Sequence, residues 1–308
     1  MPTKIEWCHE TWNPITGCTK VSAGCANCYA ERMATRMRGR FGYPADNPFR
    51  PTFHPDRIDQ PRRWPKPKPG ERRLVFVDSM GDLFHEDMDT AWVKAVWDTM
   101  VETPWNTYLL LTKRPQVMQF WITCTLDGAP PPANIWCGTS VENQEWADVR
   151  IPWLLRTPAA VRFVSVEPML GPVDLQTGVY IDGPESMKGT TLIGLDWVIC
   201  GGESGPGARP MHPDWPRSLR DQCAEAGVPF VFKQWGSWVP YSEACYDRDL
   251  RAACYRKRQI SMASEVYMDG PVAMGRNQVS MHLVGKKHSG RTLDGKIHDE
   301  YPNTEAGE

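Results

Sequence analysis

The sequence predicts an α/β fold, a partial barrel of six or seven strand–helix units with a loop-rich C-terminal extension. Two observations carry this. Short apolar runs recur along residues 1–235, and helical patterns fall between them. Continuous apolar runs bounded by polar or Gly-containing loops are how strands buried on both faces read. Strands alternating with helices pair in parallel through right-handed crossovers. Six or seven such units fit an open or partial TIM-like barrel better than a flat doubly wound sheet.

The first strand is the weakest, Trp12-Asn13-Pro14-Ile15-Thr16. The clearer ones are Leu74–Val77, Tyr108–Leu111, Ile135–Gly138, Val161–Val166, Trp197–Cys200 and Phe230–Phe232. Helical spacing covers Cys28–Arg38, Thr90–Glu102, Pro115–Ile122, Glu142–Arg156 and Trp215–Ala226. The last stops at Gly227 with Pro229 beyond it, a helix terminus followed by a new strand. Residues 39–73, rich in Pro and basic side chains, read as an insertion wrapping the first crossover, and 171–189 as a second. Residues 1–235 therefore make the expected barrel domain, and 236–308 an extension covering it.

With 308 residues and a 41% hydrophobic share, the chain can bury one large core or two small ones. A formal charge of -2 and a pI near 6.4 exclude a bulk polycation but leave room for a local basic groove. Fourteen Trp and 28 Pro predict many loops and a large aromatic surface. Met1–Glu10 has no leader pattern and no apolar run is long enough for a bilayer, so a cytoplasmic protein without a membrane partner is expected.

Ten Cys in such a compartment are not expected to form disulfides. Seven are scattered: Cys8, Cys124, Cys137, Cys200, Cys223, Cys245 and Cys254. Cys18, Cys25 and Cys28 lie together on a loop leading into a helical pattern. By spacing alone two readings stand. Three thiolates can ligate three irons of a [4Fe–4S] cube, leaving the fourth iron open. Alternatively Cys8 completes a four-cysteine structural zinc site, and the chain is a zinc-stabilised nucleic-acid-binding protein without catalysis.

The run Asn13-Pro14-Ile15-Thr16-Gly17-Cys18, then Cys25-Ala26-Asn27-Cys28-Tyr29-Ala30-Glu31-Arg32, resembles the radical S-adenosylmethionine (SAM) superfamily. Its Cys loop is similar to that of the branch of spore photoproduct lyase-like proteins, which writes N-P-x-x-G-C and then C-x-x-C-Y-A-x-R. It departs in placing six residues, not three, between the first two cysteines. The whole chain looks still closer to the phage-associated family named for gene products 37 and 68, which it resembles in this wider spacing and in Asp78–Phe84, Leu110–Pro115, Gly138–Asn143, Ser165–Pro168, Gly201–Gly205, Lys233–Gly236 and Gly285–Gly295. The resemblance implies a radical SAM barrel. In such a barrel the open iron chelates SAM, and reductive cleavage yields a 5′-deoxyadenosyl radical that abstracts hydrogen from substrate. It also implies a flavodoxin- or ferredoxin-type reductant.

In α/β barrels the reactive face lies at the C-terminal ends of the strands, so the polar residues after each run are the site candidates. Ser79, Met80, Gly81 and Asp82 follow the second run. The resemblance assigns them to the SAM amino group, with Asp82, or Asp78, supplying a carboxylate; the plain reading is a tight turn. Lys113, beside Thr112 and Arg114, is a cation for the SAM carboxylate or a phosphate. Ser140 and Glu142 stand where the resemblance places ribose contacts, and they also read as a helix start. Glu167, before Pro168, and Lys233 end the fifth and seventh runs. Glu203 lies in Gly201-Gly202-Glu203-Ser204-Gly205, read as a flexible, close-approach loop facing substrate with Glu203 the polar contact. Glu167, Glu203 and Lys233 are the catalytic candidates. Trp235 reads as a stacking platform or a core residue, His85 beside Glu86 as a surface pair, and Cys200 as packed core or a hydrogen donor.

The expected substrate is a small molecule or a nucleic acid, nucleotide or modified base. It rests on the resemblance, the basic stretches Arg62–Lys68 and Lys286–Arg291, and the surplus of Trp. No hydrolase-like triad order, Walker-type loop or two-His metal spacing is present.

Overall fold

The computed structural model describes residues 3, 5–176, 179–180, 187–188, 192–244, 248–254, 259–263 and 278–303. Strand β1 (Glu10–Trp12) ends where Asn13-Pro14 interrupts the ladder, since Pro has no N–H to donate. β2 (Ile15–Thr16) then leaves the main sheet, and α1 (Tyr29–Arg36) follows the Cys loop. The first strand expected over 12–16 is thus split. Its second half pairs antiparallel with β3 (Thr52–Phe53), inside the basic insertion. After α2 (Gln60–Arg63) the strand–helix rhythm is regular: β4 (Arg73–Val77), α3 (Thr90–Glu102), β5 (Asn106–Thr112), α4 (Pro115–Leu126), β6 (Ile135–Val141), α5 (Gln144–Arg156) and β7 (Val161–Val166). Short strands β8 (Val179–Tyr180) and β9 (Met187–Lys188) pair with each other inside the second insertion, about half of which lies outside the described residues. β10 (Trp197–Gly201), α6 (Asp214–Ala226) and β11 (Phe230–Gln234) complete the rhythm.

Seven strands make one sheet, in the order β1-β4-β5-β6-β7-β10-β11, open between its two edges as a partial barrel is. β1–β4, β4–β5, β5–β6 and β10–β11 all pair in parallel, with Trp12 opposite Val77, Val77 opposite Leu110, and Leu110 opposite Cys137. The fold is mixed α/β.

The helices form where the sequence gives them an apolar stripe and a cap. In α3, Asp89 accepts the Ala91 N–H at 2.8 Å, and Val93, Val96, Trp97 and Met100 are buried at helical spacing. Each such side chain contributes about 1.5–3 kcal/mol by leaving water. α6 stops at Gly227, whose φ of 68° suits glycine and whose N–H returns to Ala224 and Cys223. Trp7, Trp12, Trp136, Trp197 and Trp235 are almost completely buried. The surplus of Trp therefore builds core, which corrects the expected aromatic surface.

The tail is more ordered than the loop-rich reading predicts. β12 (Trp238–Pro240) is followed by the short helices α7 (Tyr241–Ala244) and α8 (Arg248–Cys254). β13 (Gln259–Ala263) and β14 (Gln278–Leu283) form with β12 an antiparallel sheet in the order β12-β14-β13. α9 (Lys286–Ser289) and the pair β15 (Thr292–Leu293) and β16 (Lys296–Ile297) follow. The chain divides into two compact units. One holds Met1–Ser140, Arg150–Phe163 and Pro302–Glu308, the other Val141–Val149 and Val164–Tyr301. Among the described residues no helix is long and apolar enough to cross a membrane.

Candidate functional site

In the first unit the Cys loop is tied to the turn that follows β4. The Asn13 side-chain oxygen accepts from Met80 N at 2.9 Å and Ser79 Oγ at 3.1 Å. Gly17 N donates to Met80 O at 2.9 Å, and Gly17 bridges Gly81. Gly17 has φ 94°, and a Cβ there would overlap the Arg50 carbonyl, so only glycine lets the loop pass. Asp78, at the head of this turn, is buried at φ 52° and accepts the Ile15 N–H on Oδ1 at 3.0 Å. Its Oδ2 has no partner. Burial holds the Asp78 carboxyl well above the usual range, so it keeps its proton.

Cys18, Cys25 and Cys28 are all partly buried free thiols. Arg114, almost wholly buried, directs Nη1 at Cys18 Sγ (3.4 Å) and at Asp82 Oδ2 (3.1 Å), Nε at Glu86 (2.7 Å) and Nη2 at Thr19 Oγ1 (2.9 Å). Asp82 is fixed in turn by Thr112 Oγ1 at 2.7 Å and Phe84 N at 3.1 Å. Lys113 Nζ lies 3.8 Å from Cys25 Sγ and 3.4 Å from Ser22 Oγ. The Cys28 sulfur caps α1 and accepts the Glu31 N–H at 3.5 Å. His85 is buried rather than paired on the surface. Its Nδ1 accepts the Asp87 N–H, so Nε2 donates to Thr19 Oγ1 at 2.8 Å.

Burial, with the Asp82 charge, pushes the Cys18 thiol up to about 12 against the opposing pull of Arg114. Burial also raises Cys25, but the Lys113 charge and the Val21 and Ser22 backbone N–H groups bring it below the ordinary thiol value. Burial works against the Arg114 charge and is outweighed by Glu86, Asp82 and Cys18. Burial and the Arg114 charge lower His85, which stays neutral.

These donors fit a cluster better than a closed zinc site. Cys8 stands beside His9, which pairs with Leu74 at the start of β4, whereas the Cys loop meets Met80 and Gly81 beyond its end. At about 3.3 Å per residue the strand alone separates the two by more than 10 Å. Among the described residues no group of three or more His, Cys, Asp and Glu side chains is placed to hold a metal ion. Three thiols on one loop, two facing cations, make a donor set suited to a [4Fe–4S] cluster.

The second unit brings other expected residues together. Lys233 Nζ bonds Glu167 Oε1 at 2.6 Å, across the ends of β11 and β7, and Gly201 leaves room for that carboxylate. The Glu167–Pro168 peptide is cis. Glu203 is buried and clamped by Arg209, with Nη2 to Oε1 at 2.6 Å and Nε to Oε2 at 2.9 Å. Glu142, also buried, adds to the field on Arg209. Gly202 packs so closely on the Trp235 carbonyl that a Cβ would overlap it. The Gly-Gly-Glu segment is therefore a close-approach loop, as the sequence predicts, packed here on the chain's own backbone. Trp235 is core, its Nε1 donating to Thr292 O at 2.8 Å. Cys200 is fully buried against Met169, and burial followed by the Glu167 charge raises its thiol far above the ordinary value.

Ser79, Met80, Gly81, Asp82 and Lys113 thus share one neighbourhood with the cysteines. Ser140, in the first unit, is buried and engages Arg150 through its carbonyl at 2.8 Å. Glu142, Glu167, Glu203 and Lys233 belong to the second unit. The sequence reading gave no role to Thr19 and Arg209, took Asn13 only as part of the motif and His85 as a surface pair, and ranked Arg114 behind Lys113. Pro115 carries the missed signal for Arg114. A residue before proline is held out of the helical region, and Arg114 (φ -124°, ψ 57°) turns back from α4 toward the loop.

Among solved structures, one similar chain is "Spore photoproduct lyase complexed with dinucleoside spore photoproduct", with 10% identity and a TM-score of 0.40 over 87% of this chain. The match spans 66% of that longer chain. No curated protein sequence matches. The family model described as "Protein of unknown function (DUF5131)" matches residues 2–302, and this chain belongs to that family.

Proposed function

We propose that this chain is a radical SAM enzyme in which Cys18, Cys25 and Cys28 hold a [4Fe–4S] cluster. One observation carries the reading: three free thiols share a loop, and two of them face the buried or half-buried cations Arg114 and Lys113. When bound, the cluster and SAM supply one-electron cleavage of a sulfonium and hence hydrogen abstraction from substrate. The protein's own share is positional. Arg114 presents one N–H to the Cys18 sulfur and is held by Asp82 and Glu86. Lys113 offsets charge at Cys25, and the Glu31 N–H serves Cys28. Ser79, Met80, Gly81 and Asp82 frame the turn packed on this loop, and in this reading they lie on the SAM side of it. Ser140 and Glu142 (ribose contacts), and Glu167, Glu203 and Lys233 (substrate polar groups), belong to the same proposal. So do a flavodoxin- or ferredoxin-type reductant and a cytoplasmic setting.

Anaerobic purification with iron and sulfide analysis tests it. The expected result is about four of each per chain, an electron paramagnetic resonance signal that changes on adding SAM, and 5′-deoxyadenosine on reduction. Cys18→Ala, Cys25→Ala and Cys28→Ala should each lose the cluster, while Cys8→Ala keeps it. One zinc per chain without visible absorbance, or loss of iron in Cys8→Ala alone, would overturn the proposal.

A further inference from the structure

The basic charge of the chain is not where the sequence draws the eye. In Arg62–Lys68, Arg62 is paired with Asp59 and Glu102, Arg63 reaches Asp59, Lys68 reaches Glu71, and Lys66 lies over the Trp105 ring at 4.4 Å. In the other stretch, in the second unit, Arg291 is paired with Asp299, while Lys286, Lys287 and His288 are exposed. The segment after the Cys loop differs. Residues 32–57 carry six Arg against two Asp, on a chain whose net charge is -2. Their guanidinium groups bond mostly to neutral atoms. Arg36 meets the Met33 sulfur, Arg38 the Ala45 and Asp46 carbonyls, Arg40 the Arg36 carbonyl, and Arg57 the Asn13 and Phe41 carbonyls. Among the described residues these four form no salt bridge with a carboxylate.

An independent feature lies in the same place. Phe41 is 72% exposed at φ 54°, a left-handed conformation that a bulky side chain rarely adopts. Gly39 and Gly42 flank it at φ 68° and 82°. The turn is rigid: Gly39 N donates to Tyr43 O and Tyr43 N to Arg40 O, both at 3.0 Å, and Arg57 Nη2 grips the Phe41 carbonyl at 2.6 Å. Tyr43 anchors it beneath, buried against His54 with Arg57 over its ring. A buried tyrosine, two glycines and an arginine together hold an apolar ring in water between exposed arginines. That is an outlier with a direction, and such outliers point to function.

We propose that the Arg36–Gly42 turn, with Arg57, is a binding site for single-stranded nucleic acid. The arginines would meet backbone phosphates while Phe41 stacks on an unpaired base. Guanidinium groups tethered on one side to carbonyls keep other N–H donors for phosphate oxygens. An exposed ring among cations is what sequence-tolerant strand binders use, whereas a protein partner would want a broader apolar patch around Phe41. The inference goes beyond the cluster reading and uses none of its ligands, so either can fail alone.

Fluorescence anisotropy of the full chain with a labelled oligonucleotide of about 16 nucleotides, single-stranded or annealed to its complement, tests this. The single strand should bind more tightly than the duplex. Phe41→Gly, which suits the backbone and should melt no lower than the parent, should weaken single-strand binding roughly fivefold or more. Arg36→Gln/Arg38→Gln/Arg40→Gln should reduce the slope of log affinity against log salt by about 2, and Arg62→Gln/Arg63→Gln should leave binding unchanged. Absence of binding at low salt overturns the site, as does equal affinity for duplex with no effect of Phe41→Gly. If the triple variant loses polyglutamate as it loses the oligonucleotide and Phe41→Gly alters neither, the face serves acidic proteins and the proposal falls.

Discussion

Asp78 shows how a single buried side chain can be read for its chemistry. Its carboxyl accepts one backbone N–H, leaves one oxygen without a partner, and is kept protonated by burial. The folded chain therefore retains a proton that the unfolded chain releases near 3.8. The stability linked to that proton is complete below the ordinary value and is lost as pH rises through the raised folded one. Asp78→Asn keeps the acceptor for Ile15 N and removes the titration. Its stability relative to the parent should rise between about pH 4 and about pH 8, by about 1.4 kcal/mol for each unit that the folded value exceeds the unfolded one. Thermal melts followed by circular dichroism check this; an equal difference at both pH values would show an ordinary carboxylate. Asp82, four residues on, is the opposite case. Three neutral donors and Arg114 surround it, and its task is to aim that arginine at a sulfur.

At the scale of elements, the hairpin of β2 and β3 depends on one glycine. Ile15 and Thr16 pair with Phe53 and Thr52, and Gly17 then passes under the Arg50 carbonyl at positive φ. Gly17→Ala meets both a backbone overlap and a strained φ, and should cost about 3 kcal/mol or more. Gly128→Ala, at φ 82° with open space around its Cβ, should cost about 1 kcal/mol. Urea unfolding of the two variants separates overlap from strain. The same elements show what a sequence discloses. The limits of α3 and β7 were legible, because an Asp cap and an unbroken apolar run mark them. The first strand was misread, because Pro14 ends one ladder and Ile15 begins another, and no local pattern says which partner strand will be used. The three cysteines were legible by spacing. The buried places of Arg114 and His85 were not, because both follow from packing between segments distant in sequence. The Arg36–Gly42 turn escaped notice for a related reason: a count of charges cannot tell which arginines have already found a carboxylate.

For the molecule as a whole, the division into two compact units allows the cluster to be traced by what its loss releases. Thr19, Ser22, Glu31, Lys113 and Arg114, which touch the cysteines or their immediate neighbours, and Asp82, His85 and Glu86, which hold those contacts, all belong to the first unit. A ligand that binds only the folded state stabilises the segments it organises, and removing it lets them open locally. Stripping the cluster should therefore speed amide exchange in Thr16–Arg36 and Asp78–Glu86. Exchange in β10 and β11, and around the Glu167–Lys233 pair, should keep its rate. Hydrogen exchange read by mass spectrometry on cluster-loaded and stripped protein would show the contrast. Uniform loss of protection over both units would mean that the metal sustains the whole fold, as a structural zinc does, and would count against an open iron on a prebuilt loop. A change confined to the first unit would place the cofactor on a scaffold that folds without it. Buried Arg114 and Asp82, with the exposed Glu86 closing the network, give that scaffold an internal framework of its own.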